Sequence, residues 1–237
     1  GAGQARGTLV GTDGDQKAFA KVYPFSPALV DTLVALSDCL QRERTAIRIL
    51  MELLVDHLPD FQLGPIIPVG DVFDVIAGGE DPFDLHMRKR FDRARELYQD
   101  HFLPIIRGEH GTGTPDKCQR MRADHSPKLG CSGCPIAGCL NDNRLAKTLI
   151  LASLVPETPT FKDLTARRLV HLNHGTIASP IPGAEVQLVV GKLKKWSTKI
   201  GALRVGEQAD PEITLHIEGI DLRPIIARAE TYYTSGA

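Results

Sequence analysis

Four cysteines near the middle of the chain constrain its fold more than any other feature of the sequence. Cys118, Cys131, Cys134 and Cys139 follow the spacing C-x12-C-x2-C-x4-C, with glycine and proline around the central pair. A C-x2-C pair in a tight turn directs two sulfur atoms towards one point, and two more cysteines complete a tetrahedral set of thiolates. The spacing therefore predicts a metal-stapled loop over residues 111–140, with a structural or redox role.

The identity of the metal stays open. Zn2+ fits because four thiolates at about 2.3 Å neutralise the ion and would stabilise a segment with few apolar residues. A 4Fe–4S cluster is the alternative, since residues 131–139 resemble the cluster loop of some DNA-repair glycosylases. The third interpretation is that these cysteines are thiols that bind no metal. His125 is a possible replacement ligand if one cysteine stays free. Cys39 stands apart between two predicted helices, which indicates an ordinary core residue.

Composition and charge limit the class of protein. The 237 residues are 42% hydrophobic and 24% charged, as in a soluble globular protein. The net charge of -1 gives no overall attraction to nucleic acid, so such a role would need a local patch. No segment approaches the roughly 20 apolar residues that span a bilayer. The sequence opens without Met or a signal peptide, and we expect a piece of a longer cytoplasmic protein with no membrane partner.

Helical periodicity dominates the segment before the cysteines. After a flexible lead-in over residues 1–20, Ser26 and Pro27 suit the N-cap and first position of a helix. Further helices are predicted over residues 42–57 and 82–106, where apolar residues recur every three or four positions. These helices predict a bundle over residues 21–110.

Two helix starts are predicted after the cysteines. Asn141 or Asp142 is expected to cap a helix that carries several leucines. Residues 160–163 resemble a capping box and are expected to start a second helix that ends near Leu172.

The pattern then changes from helix to strand. A third helix is predicted over residues 183–200, and residues 203–205 and 213–217 alternate as two strands around a turn. Three helices followed by a hairpin indicate a winged-helix-like domain over residues 141–237. The fold class we predict is mainly α, combining the helical bundle, the metal-stapled loop, and a winged helix with a small β-hairpin.

Catalytic patterns are missing from the sequence. No G-x-x-x-x-G-K-[ST] motif occurs, and no Ser/His/Asp or Cys/His set is recognisable. His171 and His174 lie three residues apart, where a polar helix end is a better explanation than a pair of metal ligands. Five carboxylates cluster near glycines and are interpreted as helix caps and solvated surface: Asp71, Asp74, Glu80, Asp81 and Asp84.

Basic residues mark the third helix of the predicted winged helix. Lys192, Lys195 and Lys199 recur at i, i+3 and i+7, with Lys194 adjacent, and Arg204 follows on the first strand. Such a stripe could contact the phosphates of duplex DNA without reading its sequence. The alternatives are a solvated lysine face and a surface that contacts another protein. In the DNA reading, residues 167–168 would extend the patch.

A second basic group lies at the start of the helix predicted over residues 42–57. Arg44 and Arg48 are four residues apart and therefore share one helical face. A guanidinium at a helix start can reach a phosphate held by a neighbouring domain. An exposed amphipathic helix is the alternative interpretation.

Residues 23–31 and 40–46, the second of which includes Arg44, resemble the helical lid segment of PglY-type ATPases of the phage growth limitation (BREX) phage-resistance systems. The resemblance continues through residues 71–74, the cysteine loop and residues 164–175. It implies that Arg44, or as second choice Arg42, senses a nucleotide.

In such ATPases the nucleotide is held by a P-loop domain, which this sequence lacks. The resemblance therefore implies a non-catalytic fragment of a phage-defence ATPase, with ATP reaching it through the P-loop domain of the parent chain. Other phage-defence subunits are the further partners implied. The alternative function is an independent, metal-stabilised DNA-binding module.

Overall fold

The computed structural model describes residues 16–40, 45–57, 65–79, 84–114, 137–177, 179, 181 and 183–217. Over these residues the protein is mainly helical, with one small antiparallel sheet. None of the described helices is both long and apolar enough to cross a membrane.

Three helices open the described chain: α1 (Gln16–Val22), α2 (Pro27–Leu40) and α3 (Thr45–Glu52), the last continuing as a π-helical turn, Leu53–His57. The predicted cap of α2 is confirmed, because Ser26 Oγ accepts a hydrogen bond of 3.1 Å from the backbone N–H of Leu29. That bond satisfies one of the free donors at the helix start.

A short 3-10 turn, Val69–Asp71, leads into α4 (Val72–Gly78). The predicted long helix is then present as three consecutive parts: α5 (Leu85–Glu96), a π-helical stretch (Leu97–Phe102) and α6 (Leu103–His110). Asp84 caps α5 by accepting a 2.8 Å hydrogen bond from the N–H of Met87, which confirms its predicted role. Gly111, with a φ of 63°, ends α6 in the left-handed conformation that glycine adopts without strain.

The central helix of the fold is α7 (Ala137–Leu154). The prediction that Asn141 or Asp142 caps this helix is wrong, because the helix already begins at Ala137 and Cys139 lies within its first turn. Asp142 instead uses its carboxylate to bond His110 and Lys192 on other helices.

The next helix, α8 (Ala166–Leu172), starts later than predicted. Residues 158–163 form turns, and Thr165 caps the helix by accepting from the N–H of Arg168 at 3.3 Å. Thr160 does not serve as a cap, since its hydroxyl donates to the carbonyl of Ala28 at 3.2 Å. A tertiary hydrogen bond therefore replaces the local one that the capping-box pattern predicted.

The third helix and the two strands occur where the sequence placed them. Helix α9 spans Glu185–Ser197, and strands β1 (Leu203–Val205) and β2 (Ile213–Leu215) pair antiparallel with Leu203 opposite Leu215. An isolated bridge joins Thr165 to Glu212, so the residue before α8 also pairs near the start of β2.

Buried apolar side chains from α2 through to the hairpin form one connected core. Helix α7 packs against the 3-10 turn, α6, α8 and β2. The edge of Trp196 on α9 meets the ring of Phe102, with centroids 5.6 Å apart. Cys39 is partly buried and packs against this core, as expected. The domain boundaries proposed from the sequence remain predictions.

Candidate functional site

Helix α7 carries charged and polar side chains deep inside the fold. On a helix at the protein surface, such side chains would be solvated. Four of them are instead buried: Asp142, Asn143, Lys147 and Thr148. Buried charges are strongly unfavourable unless they are paired and hydrogen-bonded. The partners of these side chains define the candidate site.

Two ion pairs fix α7 to the segment that contains α4. Arg144 donates from Nε and one terminal nitrogen to the two carboxylate oxygens of Asp71, at 2.7 and 2.8 Å. Lys147 Nζ lies 2.7 Å from Asp74 Oδ2 and 5.3 Å from the centre of the Tyr98 ring. The interpretation of Asp71 and Asp74 as caps and solvated surface is therefore wrong, because their carboxylates neutralise charges on α7.

The close approach that makes these pairs possible depends on Gly70. A Cβ atom at residue 70 would overlap the carbonyl oxygen of Arg144 and lie 2.8 Å from the hydroxyl oxygen of Thr148. Only glycine lets the two backbones come so near. Asp71 is thereby held within reach of Arg144.

Cys139 begins a second chain of contacts along α7. Its sulfur is buried, lies 3.6 Å from Thr112 Oγ1 and accepts from Asn143 Nδ2 at 3.5 Å. Asn143 also receives a 2.6 Å hydrogen bond from the Tyr98 hydroxyl at its Oδ1. Residues 112 and 139 are thus brought together at the two ends of the segment that contains the other predicted ligands.

The predicted metal site is only partly visible. Cys118, Cys131, Cys134 and His125 lie outside the described residues. Within the described part of the chain, no three His, Cys, Asp or Glu side chains are grouped as metal ligands. His171, half-buried at the end of α8, has its pKa lowered by burial and by the nearby Arg167, whereas His174 is exposed. The metal and its four thiolates stay a prediction.

An ion-pair joint, made of Glu109, His110, Asp142, Lys192 and Lys195, connects α6, α7 and α9. Lys192 Nζ lies 2.5 Å from Asp142 Oδ2, and His110 Nε2 lies 2.7 Å from the same oxygen. Lys195 Nζ lies 2.8 Å from Glu109 Oε1, and Lys192 is 3.6 Å from Glu109 Oε2. The joint fixes α9 against the end of α6.

The electrostatics of Glu109 reflect this crowding of donors. Burial by itself would raise the pKa of Glu109, but hydrogen bonds from Lys195 and Trp196 and the charge of Lys192 hold that pKa below its ordinary value. The indole N–H of Trp196 donates to Glu109 Oε2 at 3.3 Å. Lys192 Nζ also lies 5.7 Å from the Trp196 ring centre, where the ring quadrupole attracts a cation.

The five basic residues proposed for DNA contact are therefore in two different situations. Lys192 and Lys195 belong to the ion-pair joint. Lys194, Lys199 and Arg204 are exposed, and none pairs with a carboxylate among the described residues. Contact with DNA stays a prediction for all five.

The two candidate sensor residues, Arg42 and Arg44, lie outside the described residues. Arg48, on the helix that follows, has 62% of its side-chain surface exposed and lies 3.9 Å from Glu52. That pair is a weak surface contact.

The sequence contained one signal that could have revealed the polar network. Residues 145–154 of helix α7 are apolar around most of the helix circumference, which is typical of a helix inside a fold. Lys147 interrupts that pattern and Arg144 directly precedes it, and charges in such a helix need carboxylate partners. Asp71 and Asp74 are three residues apart, as are Arg144 and Lys147. Which carboxylate pairs with which cation is visible only in the three-dimensional structure.

Comparison with known proteins places the chain in a family. A family model described as the second domain of the BREX system ATPase PglY protein matches residues 2–209. No solved structure gives a significant match. Because the family model covers most of the sequence, the chain belongs to the PglY family of BREX-system ATPases, as the second domain of such a protein.

Proposed function

We propose that the chain is a non-hydrolysing regulatory domain of a phage-defence ATPase, and that its C-terminal part is a winged helix that contacts duplex DNA without reading its sequence. The observation that carries the DNA contact is the exposure of Lys194 on α9, Lys199 in the turn that follows, and Arg204 on β1. Exposed cations on adjacent elements can neutralise successive phosphates.

The order of pairing supports the winged-helix part of the proposal. Ahead of α8, the carbonyl of Leu164 accepts from the N–H of Ile213 at 2.8 Å, and Thr165 bridges to Glu212. A short extended segment thus pairs with β2 before the second helix, and β1 and β2 follow the third helix. In helix-turn-helix proteins the second helix of the motif enters the major groove. Here α8 and α9 would form that motif, so α9 is the helix expected in the groove.

The side chains on α9 favour contact with the DNA backbone over recognition of its bases. Lysine is a compact point charge that suits phosphates, while base reading relies on arginine, asparagine or glutamine. Gln187 is the polar exception on the exposed face of α9. Binding should therefore be strong only at low salt and similar for different sequences.

The DNA contact is tested by fluorescence anisotropy with a labelled short duplex over a series of salt concentrations. Replacing Lys194 and Arg204 by Glu should weaken binding uniformly across sequences and reduce the salt slope by roughly one for each lost phosphate contact. The matched control replaces exposed Lys89 and Lys162 by Glu, which changes the net charge equally. Equal loss in both double variants, or no binding at low salt, would contradict the proposal.

Nucleotide sensing is proposed for Arg44, with Arg42 as second choice, through the P-loop domain of the parent chain. The support is the family assignment together with the absence of a P-loop motif from this sequence. The isolated chain should not hydrolyse ATP. In the full-length ATPase, Arg44→Ala should lower turnover by about 100-fold if the guanidinium stabilises charge on the phosphates. Arg48→Ala is the control, and equal turnover in both variants would exclude Arg44.

We propose further that Cys139, with Cys118, Cys131 and Cys134, holds Zn2+, with a 4Fe–4S cluster as the alternative. The buried sulfur of Cys139 and its N–H donor from Asn143 are favourable for a thiolate ligand. Elemental analysis with an ultraviolet–visible spectrum of the purified protein distinguishes the two. Absence of both zinc and iron after purification without chelators would refute the proposal.

A further inference from the structure

A pocket of about 180 Å³ lies between the π-helical stretch that follows α5 and the connection from α9 to β1. Its polar side chains are predominantly basic or imidazole groups: Arg93, His101, Lys199 and His216. One carboxylate, that of Glu96, also lines it. Three separate parts of the chain thus bring four nitrogen-bearing side chains to one concavity.

We propose that this pocket binds a phosphate group. Arg93 and Lys199 are cations, and each imidazole of His101 and His216 presents an N–H donor in either protonation state. Guanidinium and ammonium groups form the strongest hydrogen bonds with phosphate oxygens. The volume leaves room for one tetrahedral oxyanion with a few waters, each of which occupies about 30 Å³ in the liquid.

The charge balance of the pocket favours an anion. Glu96 Oε2 lies 2.6 Å from a terminal nitrogen of Arg93, so this carboxylate offsets one of the two permanent cations. The pair is about half exposed, with 44% and 48% of the side-chain surfaces accessible, and is therefore weak and able to rearrange. Lys199 leaves a net positive charge before either imidazole is protonated.

The pocket lies near the C-terminal end of α9, where unsatisfied carbonyl groups would repel an anion. These carbonyls are largely occupied. Ser197 Oγ donates to the carbonyl of Lys194 at 2.8 Å, and Thr198 Oγ1 donates to that of Lys195 at 2.8 Å. The carbonyl of Trp196 accepts from two backbone N–H groups. These hydrogen bonds reduce the partial negative charge at the C-terminal end of the helix, so the basic side chains determine the local electrostatic potential.

The floor of the pocket is apolar. Leu97, Ile200 and Ile217 line it and are all buried. An apolar floor lowers the local dielectric and strengthens the interaction between the rim cations and a bound anion. His216 is also fixed through its backbone, because its N–H donates to the carbonyl of Ala202 at 3.0 Å.

The phosphate has two possible sources: the DNA backbone and a free phosphorylated molecule. Arg204 follows the pocket residue Ala202 by two positions on β1, so a DNA strand held by the proposed surface would pass close to the pocket. This source rests on the proposed DNA contact; the pocket itself does not.

The first experiment uses inorganic phosphate as the probe. The whole chain is titrated with phosphate, and the imidazole C–H resonances are followed by NMR and assigned with single His→Ala variants. The signals of His101 and His216 should shift, and that of exposed His174 should not.

Lys199→Ala should weaken the apparent phosphate affinity about five-fold, because one charged hydrogen bond is lost. Lys89→Ala should leave the affinity unchanged. Glu96→Gln should strengthen the affinity several-fold, because the repelling carboxylate is gone. A purely structural role for Glu96 would not give that gain.

The second experiment distinguishes the sources. Duplex DNA is titrated against the His101→Ala, His216→Ala double variant, with His174→Ala as control. A several-fold loss of DNA affinity with a smaller salt slope assigns the phosphate to the DNA backbone. Unchanged DNA binding by the double variant, when phosphate shifts the His101 and His216 signals of the wild type, assigns it to a free phosphorylated molecule. If phosphate shifts the His101 and His216 signals but the chain binds no duplex DNA, the phosphate pocket is supported and the proposed DNA contact is refuted. Absence of specific shifts, or equal shifts at His174, would overturn the pocket.

Discussion

At the scale of single residues, buried charges with specific partners distinguish this protein. Lys147 is 2% exposed and lies 2.7 Å from Asp74 Oδ2. Removing one partner of such a pair leaves an uncompensated charge in the interior, whereas replacing both by apolar groups is often tolerated. The pair therefore specifies how α7 sits against α4.

Asp74→Asn should lower the free energy of unfolding by about 3 kcal/mol, because Lys147 keeps its charge without a carboxylate. Adding Lys147→Met should recover most of that loss. The measurement is urea unfolding followed by circular dichroism. The control is Asp92→Asn, whose carboxylate is 59% exposed and lies 3.0 Å from Arg95, and it should cost less than about 1 kcal/mol. Similar losses in both single variants would show that the burial of Lys147 has no energetic role.

Glu109 gives a second residue-scale prediction. Since its pKa is lower in the folded protein than in the unfolded chain, its ion pairs stabilise the fold at pH values above the ordinary glutamate pKa of about 4.3. This contribution is lost as the pH falls through the folded pKa. Glu109→Gln should therefore cost about 1 kcal/mol at pH 7, and the difference from the wild type should shrink below about pH 4. Unfolding free energies at several pH values test this, and a difference independent of pH would refute it.

At the scale of elements, two glycines have opposite roles. Gly70 lies where a Cβ would overlap the backbone of α7, while Gly191 lies on the exposed side of α9 with no atom within 4 Å of a Cβ. The first is required by packing. The second lowers the stability of its helix, because glycine is a poor helix former.

Gly70→Ala should destabilise the protein by about 2 kcal/mol or more, because the 3-10 turn must move away from α7. Gly191→Ala should stabilise it by about 0.5–1 kcal/mol through helix propensity alone. Thermal unfolding of the two variants gives shifts of opposite sign. Destabilisation by Gly191→Ala would mean that the exposed face of α9 is packed against something in the isolated chain.

At the scale of the whole molecule, one core extends across the predicted boundary between bundle and winged helix. The ion-pair joint adds polar contacts at the same boundary, and Trp196, the single tryptophan of the chain, lies there against Phe102. The two parts should therefore unfold together.

Tryptophan fluorescence reports on this boundary, whereas far-ultraviolet circular dichroism reports on all helices. The two signals should give coincident transitions in denaturant, as expected for two-state unfolding. Glu109→Gln, which weakens the boundary, is the variant most expected to separate them. A fluorescence transition that precedes loss of helix in the wild type would show two independently stable domains.

Local signals in the sequence determined the identity of most elements. The cap at Ser26, the helix that became α9, and the strands at 203–205 and 213–217 follow from hydrogen-bonding groups and periodicities within a few residues, so short segments suffice to predict them. The residues that carry the family resemblance also lie in the sequence, and the family model agrees with them.

The candidate site was decided only by the tertiary structure. Asp71 and Arg144 are 73 positions apart, as are Asp74 and Lys147, and Glu109 meets α9 across a similar separation. Whether a carboxylate caps a helix, faces water or neutralises a buried lysine depends on what the fold places opposite it, and no local pattern contains that information. The sequence alone determined most of the helices and both strands. The packing of α7 and α9 decided which of their charges are buried in pairs and which remain exposed.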